Sequence, residues 1–466
     1  MPKRCQEFRG IKLKHHQLEV SEYLSRPGVK GVIAFHYMGS GKTITALTVS
    51  RCLYDKMKNI FIIIPGAVMG GFEREISRTP EFASLSDKLK LFTYGKFLNY
   101  IAKHPGACKE SLLIVDEAQN FRNPGNETMR MILAFLRAEK TLVLSGTPLQ
   151  NSPTDLISLL CMVDPRGHEF SSSISDAKKF YTLISREFNS ALGEMPKSRA
   201  KMHKVLAGKI SYFRTNIDRD PHYPKSRIKW EYVTMTPEYA REYDIVEANE
   251  VSKLPGDLRK IDLTVFYNGL RRAANRVREV SPKITSILKL IRKILSKSRG
   301  KSASKIVLYS NWQDSGINII RDELASRGIK SVSVSGEESV TTKAKNVKAY
   351  NSGEVRVMLI TKAGAAGLDL KGTRVLIIME PHWNDELIKQ VIGRAARYDS
   401  HAGLPKSKRR VTIYRYILLK PNNSSRNIKP SIDEIMQKIA DEKNQQILDF
   451  YKVMKREAIK ILKPGI

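Results

Sequence analysis

The sequence predicts an α/β protein with two parallel-sheet halves, helical insertions between them and a short helical C-terminal tail. Three observations carry this expectation. Short Val- and Ile-rich runs bounded by turn signals recur through the first third of the chain, and a second set recurs after residue 305. The stretch between them has few such runs and a scattered, charged texture. The chain is long enough for the purpose: 466 residues, 41% of them apolar, supply full-sized cores and about two to four domains at roughly 150 residues each.

Taken in order, the first set comprises Gly31 to Phe35, Ile60 to Ile64, Leu89 to Thr93, Leu112 to Val115 and Thr141 to Leu144. Runs of four to six apolar residues without strict alternation suit strands buried on both faces, as in a parallel sheet covered by helices. The second set is Ile306 to Tyr309, Val332 to Val334, Val357 to Ile360, Val375 to Met379 and Thr412 to Tyr416. Between the sets, helices are expected over Pro237 to Val251 and Leu263 to Val280. Another is expected over ITSILKLIRKILSK, followed by the basic link SRGKSASK. From Pro430 the pattern reads as one or two amphipathic helices, with Ile432, Ile435, Met436, Ile439 and Ile447 at helical spacing. The expected division is a first lobe over 1–165, helical insertions and a return to that lobe over 166–280, a second lobe over 281–420 and a C-terminal extension over 421–466. No internal repeat is visible.

Eighty Lys and Arg against 47 Asp and Glu leave a formal charge of +33. Self-repulsion on that scale is relieved by a polyanion, so nucleic acid is the leading partner and an anionic membrane surface the runner-up. Cys5, Cys52, Cys108 and Cys161 lie far apart with no CxxC and no His cluster at zinc-ligand spacing, which argues against a disulfide framework or a zinc ribbon and for a reducing compartment. The N-terminus lacks an apolar signal region, and no apolar run approaches the roughly 20 residues that span a bilayer. A soluble, non-secreted protein is expected.

The first chemical motif follows the first strand. In HYMGSGKTITAL, Gly39, Ser40, Gly41, Lys42 and Thr43 form a phosphate-binding loop that opens a helix. Glycines let backbone N–H groups approach phosphate oxygens, the helix N-terminus is positive, Lys42 reaches the β and γ phosphates, and the Thr43 hydroxyl takes a magnesium position. The position of the first glycine in the usual G-x4-G-K-T pattern holds His36. The run LLIV then delivers Asp116 and Glu117 at its end, a pair suited to magnesium-assisted hydrolysis in which Asp116 holds the ion and Glu117 polarises the attacking water. Alone, such a pair is more often a solvated loop; its place downstream of the phosphate loop, across a parallel-sheet pattern, favours the catalytic reading. Ser145, Gly146 and Thr147 close the next strand, where short hydroxyls are able to link the phosphate site to whatever the domain grips. In the second half, Gln390, Gly393, Arg394 and Arg397 sit in QVIGRAARYDSH. Arg394 and Arg397, three apart, are expected to share a helical face and present two guanidinium groups to one γ-phosphate, as an arginine finger does. A basic surface helix is the competing explanation in so cationic a chain.

In series, these segments resemble the superfamily-two helicase-like motors, specifically the Swi/Snf-type DNA-dependent ATPases. Gln17 in LKHHQLEV matches the adenine-side glutamine, and residues 39 to 43 match motif I, whose helicase-like branch tolerates a residue such as His36 in place of the first glycine. FIIIPGAVMGGFEREI resembles motif Ia. VDEAQNFRN resembles DEAHRLKN with Gln119 in place of His, and LSGTPLQNSPTDLISLLCMVDP is the closest match. KIVLYSNW is similar to motif IV, VMLITKAGAAGLDL to motif V with Asp369 where Asn is usual, PHWND to the tryptophan segment, and QVIGRAAR to motif VI. The resemblance covers roughly residues 10 to 420. GRAARYDSHAGLPKSKRRVTIYRY is further similar to the transcription ATPases of large DNA viruses, of the poxvirus nucleoside triphosphatase I and early transcription factor small-subunit type.

The resemblance implies two RecA-like lobes, ATP and Mg2+ as cofactors, and ATP in the cleft. Lys42, Asp116, Glu117, Gln390, Arg394 and Arg397 would be the catalytic set, with Gln17, Gly39, Ser40, Gly41, Lys42, Thr43 and Asp369 binding nucleotide and Thr43 and Asp116 holding the metal. Thr93, Tyr94, Asn311, Trp312, Thr361 and Lys362 would contact nucleic acid, mostly through phosphates and therefore with little base specificity. Duplex DNA is the expected partner, with RNA polymerase or other transcription factors beside it and no membrane. The place of action implied is a viral factory in the cytoplasm, the nucleus or the virion. Two alternatives stay open: a strand-separating DNA or RNA helicase, and a docking subunit of a transcription complex whose ATPase licenses release.

Overall fold

The computed structural model describes residues 13–37, 39–195, 199–214, 220–252, 268–298, 300, 303–365, 368–421 and 429–459. Two compact units divide the chain, one of Met1–Thr215 with Gln445–Ile466 and the other of Asn216–Asn444. The first contains strands β1 (Gly31–His36), β2 (Asn59–Ile64), β3 (Leu89–Thr93), β4 (Ser111–Val115), β5 (Lys140–Ser145) and β6 (Ile210–Phe213) in the order β3-β2-β4-β5-β1-β6. The second contains β7 (Lys225–Thr234), β8 (Lys305–Tyr309), β9 (Ser331–Val334), β10 (Val357–Ile360), β11 (Thr373–Ile378) and β12 (Arg410–Leu419) in the order β7-β12-β11-β8-β10-β9. Every described strand pair in both sheets is parallel.

The continuous apolar runs are explained by helices on both faces. In the first sheet Ile33, Phe35, Phe61, Ile63, Leu113 and Val115 enter one core, while Val32, Ala34, Ile60, Ile62, Leu112 and Ile114 enter the other. The second sheet alternates in the same way, with Val307, Met358 and Leu376 on one side and Ile306, Val357 and Ile377 on the other. The interiors of β1, β2, β4, β8 and β10 are thus apolar at every position, and in these strands only the ends are left for polar chemistry.

All ten expected strands are present, and two more were not foreseen. β6 is short, and β7 is an edge strand whose polar residues hide its nature. β6 makes the return to the first lobe expected within residues 166–280, since it pairs with β1; β7, however, pairs along its whole length with β12 of the second sheet, so the first unit's main segment ends near residue 215 and not near 280. The helix expected over Leu263 to Val280 falls partly outside the described residues; within them it is a short helix, Asn268–Ala273, followed by an isolated antiparallel bridge between Arg276 and Val280. The helices over Pro237–Ser252 and Pro282–Ser296 match expectation, the latter capped by the Ser281 hydroxyl, which accepts from the Ile284 N–H at 3.3 Å.

The tail forms one helix, Ile432–Glu457. Ile432 and Met436 are buried among Tyr239, Tyr243 and Leu418 of the second unit, and Ile447, Phe450, Tyr451 and Met454 in the core of the first. Cys108 and Cys161 are buried free thiols.

A buried ion pair anchors the start of the tail helix. Lys283 Nζ lies 2.8 Å from Asp433 Oδ2, which also accepts the Leu418 N–H at 3.0 Å, and both side chains are essentially without solvent contact. Removing one charge strands the other in a low-dielectric interior. Asp433→Asn is expected to destabilise the second unit by about 3–5 kcal/mol in urea unfolding, and the paired change Lys283→Met with Asp433→Leu to recover most of that loss.

Candidate active site

The phosphate loop is fixed from below as well as by its own backbone. β1 ends at His36, and Gly39 and Gly41 follow with φ of +78° and +85° before Gly41 caps the helix Lys42–Leu53. A side chain at Gly41 would be doubly excluded, by its left-handed backbone and by Gln17 Nε2, 2.6 Å from where a Cβ would sit. Lys42 Nζ, 3.5 Å from the His36 carbonyl, lies over the loop.

Two histidines and a glutamine support this turn. Gln17 donates from its amide to the carbonyls of Ser40 and Gly41 at 3.4 and 3.2 Å and accepts the Lys14 N–H at 2.8 Å. Its side chain, expected on the adenine side, here holds the loop. His16 Nε2 lies 3.0 Å from the Ser40 carbonyl; its ring stacks on Phe213 at 3.6 Å and meets His36 edge-on at 4.9 Å. His36 Nε2 lies 2.9 Å from Ser211 Oγ, joining the end of β1 to β6. The departure from glycine at position 36 therefore builds a packed imidazole between two strands. Burial lowers the His16 pKa to about 4, against the pull of the Ser40 carbonyl, and pushes His36 well below the usual histidine range.

The carboxylate pair sits at the end of β4. The Asp116 N–H donates to the Ile63 carbonyl at 2.9 Å, and Asp116 Oδ1 accepts the Glu117 N–H at 2.8 Å. Glu117 adopts φ of +52°, a strained conformation for a non-glycine residue. Its side chain is held by a relay: Gln119 Nε2 donates to Glu117 Oε2 at 2.5 Å, Ser145 Oγ donates to Gln119 Oε1 at 2.6 Å, and the Thr147 N–H donates to Ser145 Oγ at 3.1 Å. Gln119, where the resembled motif has His, is the connecting residue; in the sequence only that unusual identity marked it. Tyr94 joins from β3. Its hydroxyl donates to the carbonyl of Asp116 at 2.7 Å and accepts from Asn120 Nδ2 at 3.2 Å, and burial raises its pKa. Tyr94 was expected on the nucleic acid; its hydroxyl is committed to the carboxylate segment, while Thr93 precedes it at the start of the helix Tyr94–Lys103.

The chemistry of the donor set fits nucleotide and a hard cation. A loop of positive-φ glycines opens a helix with Lys42 and Thr43 in its first turn, and the Asp116 carboxylate leaves the same edge of the sheet at the end of β4. Among the described residues no group of three or more His, Cys, Asp or Glu could hold a metal.

In the second unit the arginines depart from expectation. The helix Asp385–Ala395 ends before Arg397, so Arg394 and Arg397 do not share a helical face. The turn that stops the helix is made by Ser400, whose hydroxyl accepts the Arg397 N–H at 3.1 Å and donates to the Arg397 carbonyl at 2.7 Å. Arg397 is thereby swung out to lie 3.9 Å from Asp369 Oδ1, while Lys371 Nζ lies 3.1 Å from Asp369 Oδ2. Gln390 and Arg394 are half-buried on the helix itself.

Asn311 and Trp312 surround a residue not singled out in the sequence. Glu380, at the end of β11, is buried; its Oε1 accepts from Asn275 Nδ2 at 2.6 Å and Ser310 Oγ at 2.8 Å, and its Oε2 accepts the Asn311 N–H at 3.0 Å. Burial raises its pKa, against the opposing pull of Lys283 and these donors. Asn311 Nδ2 is spent on the Pro381 carbonyl at 3.2 Å, so its side chain shapes the segment. Arg271 lies over both Trp312 and Trp383, at 4.9 and 5.5 Å from the ring centroids. Thr361 is nearly buried, its N–H donating to the Val334 carbonyl at 3.3 Å, and Lys362 is exposed beside it.

Comparison with known proteins places this geometry. The SNF2-related domain family matches residues 87–262 and the helicase conserved C-terminal domain family residues 283–399. A protein of Acanthamoeba polyphaga mimivirus, provisionally named ATP-dependent RNA helicase, is 32% identical over 462 residues, covering 94% of this chain and 97% of its own. The chain belongs to the SNF2-related helicase family. As a member it is a helicase-like, nucleic-acid-dependent ATPase. The African swine fever virus termination factor NPH-I homologue, in the Pretoriuskop isolate, is 23% identical over 584 residues, 96% of this chain and 80% of that one. The SWI2/SNF2 ATPase core of Sulfolobus solfataricus in complex with dsDNA is similar at 19% identity with a TM-score of 0.38, over 97% and 98% of the two chains. No helix among the described residues of this SNF2-related protein is long and apolar enough to cross a membrane.

Two outcomes are expected. Gln119→Leu, which keeps the volume and breaks the relay, should lower nucleic-acid-stimulated ATPase turnover at least tenfold while nucleotide affinity, read by fluorescent-nucleotide titration, stays within about twofold. The unfolded chain takes up protons at His16 below about pH 6.5 and the folded chain only near 4, so stability is full above the first value and is lost as pH falls toward the second. His16→Gln should flatten that part of the profile of urea midpoint against pH.

Proposed function

We propose that this SNF2-related protein is a duplex-DNA-dependent ATP hydrolase and translocase that acts in transcription by a large DNA virus, at initiation, termination or transcript release. One observation carries the reading: the hydrogen bonds that join Tyr94, which with Thr93 forms the segment expected on the nucleic acid, to the backbone of Asp116 and Glu117, and Glu117 through Gln119 to Ser145. A shift of the track-facing segment is transmitted to the catalytic carboxylate through a continuous chain of largely part-buried hydrogen bonds within one unit.

In this mechanism the backbone N–H groups of residues 39–43 and the Lys42 ammonium take the β and γ phosphates, as the positive helix N-terminus favours. Thr43 and Asp116 would hold magnesium, which supplies charge neutralisation on the phosphates when bound. Glu117, aimed by its left-handed backbone and by Gln119, orients and polarises the attacking water. Arg394 and Arg397 are assigned to the charge that grows on the γ-phosphate; release of Arg397 from Asp369 would accompany that role. The similarity to the termination factor homologue supports the transcriptional setting, and the similarity to the protein named as an RNA helicase makes strand separation the outcome to test against.

Turnover should rise with duplex DNA more than with single-stranded DNA or RNA, and Lys42→Ala and Glu117→Gln should abolish it. Normal hydrolysis in Glu117→Gln removes the catalytic assignment. Arg397→Ala should bind nucleotide within about threefold of the parent while losing at least about a hundredfold in turnover. Displacement of a third strand from a triplex without unwinding of a forked duplex supports translocation; unwinding of the fork supports the helicase reading instead.

A further inference from the structure

The turn that carries Arg397 is held from two sides, and only one of them belongs to its own segment. On the core side Ser400 bonds both backbone groups of Arg397, the Ser400 carbonyl accepts the Gly372 N–H at 2.8 Å, and His401 Nε2 lies 2.6 Å from the Thr373 carbonyl. On the solvent side stands His222, distant in sequence and ahead of β7. Its carbonyl accepts the Asp399 N–H at 2.9 Å, and its Nδ1 lies 2.8 Å from Asp399 Oδ1. Its ring stacks on Tyr398, with centroids 4.8 Å apart and planes 13° from parallel, and buried Tyr223 meets the Tyr398 ring edge-on at 5.6 Å.

The ion pair by itself is weak. Both side chains are about half-exposed, and a pair in water contributes little. What distinguishes His222 is that it grips two consecutive residues of the turn by a backbone bond, a side-chain bond and a ring stack together. Asp399 takes φ of +53°, a left-handed conformation that costs a non-glycine residue energy, and it bonds His222 through both its N–H and its carboxylate. His222 is fixed in turn. Its N–H donates to Asp220 Oδ1 at 3.0 Å, and just beyond it the chain enters β7, which is paired with β12 along its whole length.

The second unit begins at Asn216, so His222 lies shortly after the crossing from the first. We propose, resting on the assignment of Arg397 to the γ-phosphate, that His222 is a positioning residue for Arg397, fastening the turn that bears the guanidinium to the segment by which the chain enters the second unit. Arg397 needs such a brace because the helix Asp385–Ala395 has ended before it, and its N–H rests on the Ser400 hydroxyl instead of a helical carbonyl. A guanidinium displaced by about 1 Å from a transferring phosphoryl group loses hydrolysis much more than binding.

In the full chain, His222→Ala should lower nucleic-acid-stimulated ATPase turnover at least about fivefold while fluorescent-nucleotide affinity stays within about twofold. His222→Phe, which keeps the ring stack and the backbone bond, should recover turnover to within about threefold of the parent. In an Arg397→Ala background the same His222→Ala change should add less than about twofold, since a residue acting through Arg397 has nothing left to position. Unchanged turnover in His222→Ala overturns the proposal, as does an equal loss in both backgrounds or a matching loss of nucleotide affinity. Full turnover in Arg397→Ala alone would remove the assignment of that arginine and the proposal with it. No effect at His222 beside a strong effect of Arg397→Ala overturns the proposal and leaves that assignment standing.

Discussion

In an all-parallel sheet every strand runs the same way, so all the strand C-termini share one edge, and a polypeptide covered by helices on both faces has nowhere else to place polar groups. This constraint organises both units. In the first, β1 ends at the phosphate loop, β3 at Thr93 and Tyr94, β4 at Asp116 and Glu117, and β5 at Ser145. In the second, β8 ends at Ser310 and Asn311, β10 at Thr361 and β11 at Glu380. Helices pack the interiors of these strands into dry cores, and the crossovers return each strand to the same side.

Delivering residues to an edge does not fix their orientation. That is done by a second set of buried polar groups. His16, Gln17 and His36 hold the phosphate loop from beneath, Gln119 sets the Glu117 side chain, and Glu380 gathers Asn275, Ser310 and the Asn311 N–H around motif IV. Each lies in a poorly screened environment, where a hydrogen bond is strong and an unmade one is expensive, so a single arrangement is selected. The positive φ at Glu117 is sustained in the same way, by Asp116 on one side and Gln119 on the other.

The excess of positive charge divides along the same lines. A few cations are the ones proposed for nucleotide: Lys42 on the loop, and Arg394 and Arg397 in and after the motif VI helix. Others are internal structure, as Lys283 is against Asp433 and Arg415 against Asp385. Many of the others lie on exposed surface.

The sequence by itself determined the two parallel sheets, the place of the phosphate loop and the carboxylate pair, and the family, because both are written in local signals: unbroken apolar runs, glycines at a strand-to-helix turn, acids at a strand end. Where the signal was not local, the tertiary structure decided. β7 was hidden because an edge strand buries little and so need not alternate cleanly, and the division of the chain moved with it. Arg394 and Arg397 looked like neighbours on a helix, yet Ser400 ends the helix by a turn whose strength depends on how the segment packs. The partners of Gln119 and Glu380, and the His16–His36–Phe213 stack, were hidden for the same reason. Each acts through partners tens or hundreds of residues away, and only folding brings a buried polar group to the one partner that satisfies it.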